Sequence, residues 1–368
     1  YSRFMIDRLK ESKYIVKWTQ WEYWPVWLAY LPVVPVILYY VAKSRRWFFF
    51  SNVNPFFKTG ALMGASKYQI LEEIPDSYKP CTVFFSKEER SLEDILHKIG
   101  SSGLRFPVIA KPDVGERGLL VALIRSEYEL ASYFAANKID IIIQEYVELP
   151  NECGIFFVKK PNDEKGKVVS VGIKSLMKLT GDGTATVRQL MNMDTRSRLQ
   201  IERLEEEGSH ILLDSIPEEG EIVTIEHVGN HCRGATFMDG NYMISDQLHD
   251  LFNGINAQMK EVYYGRFDVK YNTWEELLEG KNIRILEMNG IASEPIHVYD
   301  KRVPIRDKYK CFFSLWKTIY EISNIQKSRG YRPISLPAAY KAFREYKNYI
   351  KSLNTNWKVA PATNLGLA

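Results

Sequence analysis

Two short apolar segments near the carboxyl end constrain this chain most. One reads Gly265-Arg266-Phe267-Asp268-Val269-Lys270, the other Arg284-Ile285-Leu286-Glu287-Met288-Asn289-Gly290. Each reads as a strand, and together they present Asp268, Glu287 and Asn289. These side chains offer the hard oxygen donors that Mg²⁺ takes, usually one or two carboxylates completed by substrate phosphates. Arg266, two residues before the Asp, adds a cation beside them. Acidic residues at strand ends are common, so the pair needs support from elsewhere in the chain.

Residues 106–124 supply some of that support. Phe106 to Ala110 form a buried-type strand that ends in Lys111; a turn with Gly115, Arg117 and Gly118 follows, then a second apolar strand. Lysine brings a compact charge to phosphates, and glycines let backbone N–H groups approach phosphate oxygens without a Cβ in the way. The loop is neither GxxxxGK[ST] nor a dinucleotide fingerprint, because no helix follows the turn. At 140–158 an apolar strand ends at Gln144-Glu145-Tyr146-Val147. A turn carries Pro150, and another strand begins after Glu152. A crossover of this kind leaves backbone groups free to read a base edge, with Glu152 placed to hold ribose hydroxyls.

In their order and spacing, these three elements resemble the ATP-grasp fold, and most of all its D-alanine–D-alanine ligase and cyanophycin synthetase branch. The resemblance runs from about Lys67 to about Tyr299. It extends to Gly181-Asp182-Gly183-Thr184-Ala185-Thr186-Val187, to Leu213–Pro217 and to Gly229–Thr236. It implies an α+β architecture of two lobes clamping ATP, here with a reduced N-terminal lobe and an aromatic helical element before it. It further implies that Lys111 meets the α/β-phosphates under a Gly115–Gly118 flap. Glu145, Tyr146 and Val147 would frame adenine, with Glu152 on the ribose. Asp268, Glu287 and Asn289 would hold two Mg²⁺ ions, and Arg266 would stabilise charge on the reacting carboxyl. Lys67 matches the first family lysine; either Lys174 or Lys178 supplies another phosphate contact.

After Asn289 the chain departs from the D-alanine ligases. Gly290-Ile291-Ala292-Ser293-Glu294-Pro295-Ile296-His297 stands where the family has Thr-Ser-Pro-Gly, so the substrate does not carry over. Asn230, Arg233, Ser293, Glu294 and His297 are the substrate candidates by position. Glu294 is equally suited to receive an amine or hydroxyl and to pair with Arg266. The implied reaction makes an acyl phosphate from a carboxylate and ATP, and an amine then displaces phosphate. Cations neutralise the transferring phosphoryl group, and the protein mainly positions the reactants. Two other readings stay open: an ATP-grasp small-molecule kinase and a non-catalytic nucleotide-binding scaffold.

Composition narrows the surroundings. A chain of 368 residues allows two or three lobes, and a net charge of +4 does not point to nucleic acid. Cys81, Cys153, Cys232 and Cys311 are scattered without a CxxC pair, which fits a reducing compartment and, with ATP, the cytoplasm. His227 and His231 lack a third clustered ligand, so packing or substrate contact is expected of them rather than metal.

The first fifty residues pose a separate question. Trp18, Trp21, Trp24 and Trp27 lead into an apolar run to Val41, followed by Lys43, Arg45, Arg46 and Trp47. Aromatic ends and basic flanks suit a membrane surface, whereas Pro25, Pro32 and Pro35 weaken a span. The expectation is an interfacial helical hairpin over 18–50, on the inner face of a membrane. Packing on the catalytic lobes or in a homodimer is the alternative. The organisation expected is 1–50 aromatic element, 51–105 reduced lobe, 106–150 nucleotide lobe, 151–325 metal-binding lobe and 326–368 helical tail. Phe48–Phe50 reads as a strand, Thr195–Glu207 as one helix, and Tyr340, Phe343, Tyr346, Tyr349 and Ile350 as the docking stripe of the tail.

Overall fold

The computed structural model describes residues 21–357 apart from 90, 117, 207–208, 227–228 and 230–232. Trp18 lies outside the described residues. Four strands make the first sheet: β1 (Thr82–Phe85), β2 (Val108–Pro112), β3 (Ala122–Ile124) and β4 (Ile141–Glu145), in the order β1-β4-β2-β3 and antiparallel throughout. Pleating divides their side chains between two faces. Val83, Phe85, Val108, Ala110, Ile141 and Ile143 point to the helical side, into one core with Ile95, Ile99, Leu130 and Phe134. Those last four belong to helices Leu92–Ser101 and Glu127–Ala136, whose first turns are capped by Ser91 and Ser126. The opposite face carries Ile109, Lys111, Ile142 and Gln144.

Chain 151–289 builds the second sheet. It contains β5 (Asn151–Val158), β6 (Lys167–Ser175), β9 (Thr236–Asp239), β10 (Tyr264–Tyr271) and β11 (Ile283–Asn289), ordered β11-β10-β5-β6-β9. A separate two-stranded ribbon pairs β7 (Lys178–Thr180) with β8 (Ile222–Thr224). Alternation again sorts the strands: Cys153, Ile155, Phe157, Phe267 and Val269 face helix Asp246–Asn256 and share a core with Leu248, Phe252 and Ile255. Directly paired residues share a face, so the register fixes what the other side presents. There Glu152 pairs Lys174 and Lys270, Gly154 pairs Asp268 and Gly172, and Asp268 pairs Glu287. The two glycines clear space on that side, since a Cβ on Gly172 would sit 2.1 Å from Cγ1 of Ile296, which packs down onto the strands.

Three expectations change. Phe48–Phe50 is not a strand: Phe49–Asn52 is a 3-10 turn that wedges Phe49 and Phe50 against Trp316, with ring centroids 6.1 and 5.8 Å apart. A strand would have pointed consecutive aromatics to opposite sides, whereas the turn lets both reach helix Ile305–Ser328. The helix expected over Thr195–Glu207 is two, Thr195–Arg198 and Ile201–Glu206. The 105/106 lobe boundary also fails to divide the sheets, because β1 is an integral strand of the first one.

The aromatic N-terminal element packs on helix Ile305–Ser328 and on Val298. Helices Val26–Tyr30 and Val34–Ser44 are separated by a turn at Leu31–Val33. Val33 is fully buried with Val298 and Phe312, Trp21 meets Tyr309 edge-on, and Tyr40 stacks on Tyr320 at 4.8 Å. No helix among the described residues is long and apolar enough to cross a membrane. The tail helix, Leu336–Trp357, returns to the first sheet. Leu353, Tyr349 and Ile350 enter its core, while Tyr340 and Phe343 of the expected stripe stay exposed.

Candidate functional site

The chemistry-bearing faces of the two sheets converge. Lys111 enters from β2, buried, and donates to Oε1 of Gln144 at 3.0 Å. Lys67 opens helix Lys67–Glu72, whose start is fixed twice: Ser66 caps Gln69 N–H, and Asp113 accepts from Ser66 Oγ and Tyr68 N–H at 2.9 Å each. The Lys67 ammonium bonds the Gly115 carbonyl and lies 3.7 Å from Glu287 Oε1. That ion pair ties the glycine loop of the first lobe to β11 of the second.

The second sheet contributes a chain of ion pairs. Lys174 Nζ lies 2.7 Å from Glu152 Oε1 and 3.3 Å from Asp268 Oδ1. Arg266 grips the same Asp268 through Nε at 2.9 Å and Nη2 at 3.2 Å, a bidentate pairing that suits the planar guanidinium. Asn289 Nδ2 reaches Asp268 Oδ2 at 3.4 Å. Four cations thus face three carboxylates, Glu152, Asp268 and Glu287. Burial acts against the charge on Asp268, but Arg266 and Lys174 outweigh it and hold the carboxyl below its usual range. Burial likewise opposes the charges of Lys174 and Arg266, and their carboxylate partners raise both above their ordinary values. Lys111 differs. Desolvation brings it down to about 8, with Glu287 only partly restoring it.

The crossover between the sheets runs through Tyr146, Val147 and Pro150. Glu145 pairs with Cys81, its N–H donating to the Cys81 carbonyl at 2.8 Å and its carboxylate accepting from Cys81 N–H at 3.1 Å. Lys270 donates to the Val147 carbonyl at 2.7 Å, so that acceptor is occupied, and its ammonium lies 5.6 Å from the Tyr146 ring centre. Glu152 is buried beneath the Gly229 backbone, where a Cβ would fall 2.6 Å from both carboxylate oxygens.

Other expected residues divide clearly. Lys174 belongs to the cluster, whereas Lys178 sits exposed on β7 outside it. Gly118 adopts φ +71° in the glycine loop, a backbone that favours glycine. Arg117 and Asn230 lie outside the described residues, as do His227 and His231. Arg233 makes a buried pair with Glu226 at 2.7 Å. His297 bonds Ser170 Oγ at 2.6 Å through Nδ1, and burial lowers its pKa. Ser293 Oγ closes a turn onto the carbonyls of Asn289 and Gly290. Glu294 meets Arg266 through its backbone carbonyl, at 3.1 Å, rather than through an ion pair. Its carboxylate instead accepts from Tyr299, and Tyr30 of the N-terminal element lies beside it. Sequence reasoning missed Gln144, Asp113, Lys270, Tyr30 and Tyr299, whose roles arise from contacts across elements; Asp113, two residues after Lys111, was the nearest to a legible signal.

Asp268, Glu287 and Asn289 fit Mg²⁺ in kind, as oxygen donors on paired strands. Asp268 already carries two cationic partners, so it would exchange part of that pairing to bind a metal. Among the described residues no three His, Cys, Asp or Glu side chains cluster as a metal site, which leaves substrate phosphates to complete any coordination.

Residues 69–160 match the model of the RimK-like ATP-grasp domain. The match takes in Lys111, the glycine loop, the crossover and Glu152, and it stops before Lys174 and the β10–β11 carboxylates. A comparison with curated protein sequences finds no match. Solved structures similar to the chain include a bifunctional glutathione synthetase from Pasteurella multocida, with 17% identity over 72% of this chain and a TM-score of 0.35. The chain spans only 39% of that protein's length. A D-alanine–D-alanine ligase from Bacillus anthracis is 14% identical over 74% of this chain and 72% of its own, with a TM-score of 0.40. A D-Ala:D-Ser ligase from Enterococcus faecalis is 11% identical over 71% and 64%, with a TM-score of 0.39. At those scores the solved structures carry no argument, and what stands is the match of residues 69–160 to the RimK-like ATP-grasp domain.

Proposed function

From an ATP-grasp domain with this cluster between its lobes, we propose an ADP-forming ligase that joins a carboxylate to an amine. The observation that carries the reading is the convergence of Lys67, Lys111, Lys174 and Arg266 with Asp268, Glu287 and Asn289, drawn from both sheets. Lys111, buried beside neutral Gln144, receives the phosphate chain of ATP, and the Lys67-bound glycine loop closes over it. Asp268, Glu287 and Asn289 would hold Mg²⁺, which neutralises charge on the transferring phosphoryl group. Arg266 orients the substrate carboxylate for in-line attack. A carboxylate oxygen attacks the γ-phosphorus, the bond to the β–γ bridging oxygen breaks, and ADP leaves. The amine then attacks the acyl carbon, phosphate departs and the amine nitrogen gives up a proton. The side chain of Glu294, between Tyr30 and Tyr299 and next to Arg266, is suited to receive an incoming amine. Because Tyr30 belongs to the aromatic N-terminal element, an amphiphilic or membrane-delivered substrate suits the site.

The test is ADP release with MgATP against pooled amino acids and a lipid extract, products read by mass spectrometry and Glu287→Gln as control. A condensed product lacking one water, with the variant roughly 10²–10³-fold slower, is expected. A phosphorylated product would replace the ligase with a kinase. ATP binding with no turnover in any fraction, and no effect of Glu287→Gln, would replace it with a nucleotide-binding scaffold.

A further inference from the structure

The N-terminal element has two apolar faces, and the fold covers one. On helix Val34–Ser44, Ile37, Tyr40 and Val41 turn inward with the preceding Val33, against Phe312, Trp316 and Tyr320 of helix Ile305–Ser328. One position along from these in the helix, about 100° around it, Val34, Leu38 and Tyr39 face out, and Trp27, Leu31 and Trp47 before and after the helix are exposed as well; all six are 41–65% exposed. A helix apolar all round ordinarily belongs in a core or a membrane. Residues 24–42 contain no charged side chain at all. At the end of this surface come Lys43, Arg45 and Arg46, each exposed and none ion-paired to a carboxylate among the described residues.

We propose that this face seats on an anionic lipid surface, with the two helices lying in the interface and the catalytic lobes on the water side. Charge selects this occupant. Lys43 lies over the Tyr39 and Tyr320 rings at 5.6 and 5.1 Å, and apolar side chains rimmed by cations that have no carboxylate partner among the described residues complement lipid tails beneath anionic headgroups. Trp27, Tyr39 and Trp47 combine apolar rings with polar N–H or O–H groups, as side chains at headgroup depth do. A second copy fits less well, because a two-fold contact places the same patch on both sides and gathers six cations without acidic partners. The helices lie flat because their inner faces are fixed on helix Ile305–Ser328. The inference does not depend on the ligation reading.

Co-sedimentation of the full chain with phosphatidylcholine vesicles, with and without phosphatidylglycerol, tests it without any substrate. Binding at least tenfold stronger to the anionic vesicles, weakening with salt, is expected. Trp27→Glu with Leu38→Glu, both at exposed positions, should abolish it with the melting temperature unchanged. Replacing Lys43, Arg45 and Arg46 with Gln should remove the anionic preference, at about fivefold per cation. Equal sedimentation of the chain and the double variant would overturn the proposal, as would no binding to either vesicle. A dimer in sedimentation velocity that the double variant dissolves, without vesicle binding, would assign the face to a second copy instead.

Discussion

Lys111 and Lys174 are both buried in one cluster, yet their pKa values are pushed in opposite directions. On the first sheet, Lys111 bonds only a neutral carboxamide, and desolvation wins. On the second, Lys174 lies between Glu152 and Asp268, and its partners win. Burial alone therefore does not set the charge of a lysine; what faces it does. The first lobe holds a cation short of an anion, which is the state a phosphate completes. The second lobe is already neutralised within itself, so a ligand there must displace an existing pair.

The contrast breaks most visibly at Asp268. Asp268→Asn removes the shared anion of Lys174 and Arg266 and strands two buried cations. A loss of about 3–5 kcal/mol in unfolding stability is expected, with ADP release abolished. Denaturant melts of the variant measure the first and a coupled ADP assay the second; an unchanged melt would show that the pairs carry no stability. On the other sheet, Lys111→Met should weaken ATP binding by roughly 10–100-fold while leaving the melting temperature unchanged or raised, because a costly buried charge is removed. Calorimetric titration with ATP and a thermal scan separate the two effects.

The pH dependence sharpens the same contrast. The folded chain holds Lys111 at about 8, below its unfolded value, so the unfolded state binds the extra proton between about 8 and 10.5. The Lys111 contribution to stability therefore rises with pH across that window. ATP acts in the reverse sense: its phosphates raise the lysine pKa, so binding takes up a proton near pH 8. Affinity should then fall above pH 8, by at most about tenfold per pH unit. Titrations in buffers of different ionisation enthalpy read the proton directly, and Lys111→Met should erase the uptake. The smallest effect concerns the tail. Tyr349→Phe removes its hydrogen bond to the Val114 carbonyl, 2.8 Å long, beside the glycine loop. A loss of about 0.5–1.5 kcal/mol is expected by urea melt.

Much of this was legible in the residue order. Lys111, Glu152, Asp268, Glu287 and Asn289 were identifiable from strand ends and turns taken in their order along the chain, Lys67 from the family resemblance, and the structure brings all six together. Lys174 is separated from Lys178 by sheet rather than by pleat: four positions apart, one stands on β6, 3.3 Å from Asp268, and the other on a different ribbon. Arg233, His297 and Ser293, expected as substrate contacts, each have a protein partner in this structure. Position after Asn289, or beside a glycine-rich segment, cannot show that Glu226, Ser170 and two backbone carbonyls already hold them.

The sequence by itself determined the strands, the glycine loop, the crossover and the types of side chain available for phosphate and metal, because periodicity and turn chemistry act over a few residues. It also determined that an uncharged aromatic run lies at residues 24–42. Only the tertiary structure decided which cations are paired, since Glu152, Lys174 and Asp268 are far apart in sequence and adjacent across three strands. It also decided that one face of the N-terminal run is buried on helix Ile305–Ser328 and the other is left exposed. Ion pairing and burial depend on distances between elements, and those distances exist only once the sheets and helices have packed.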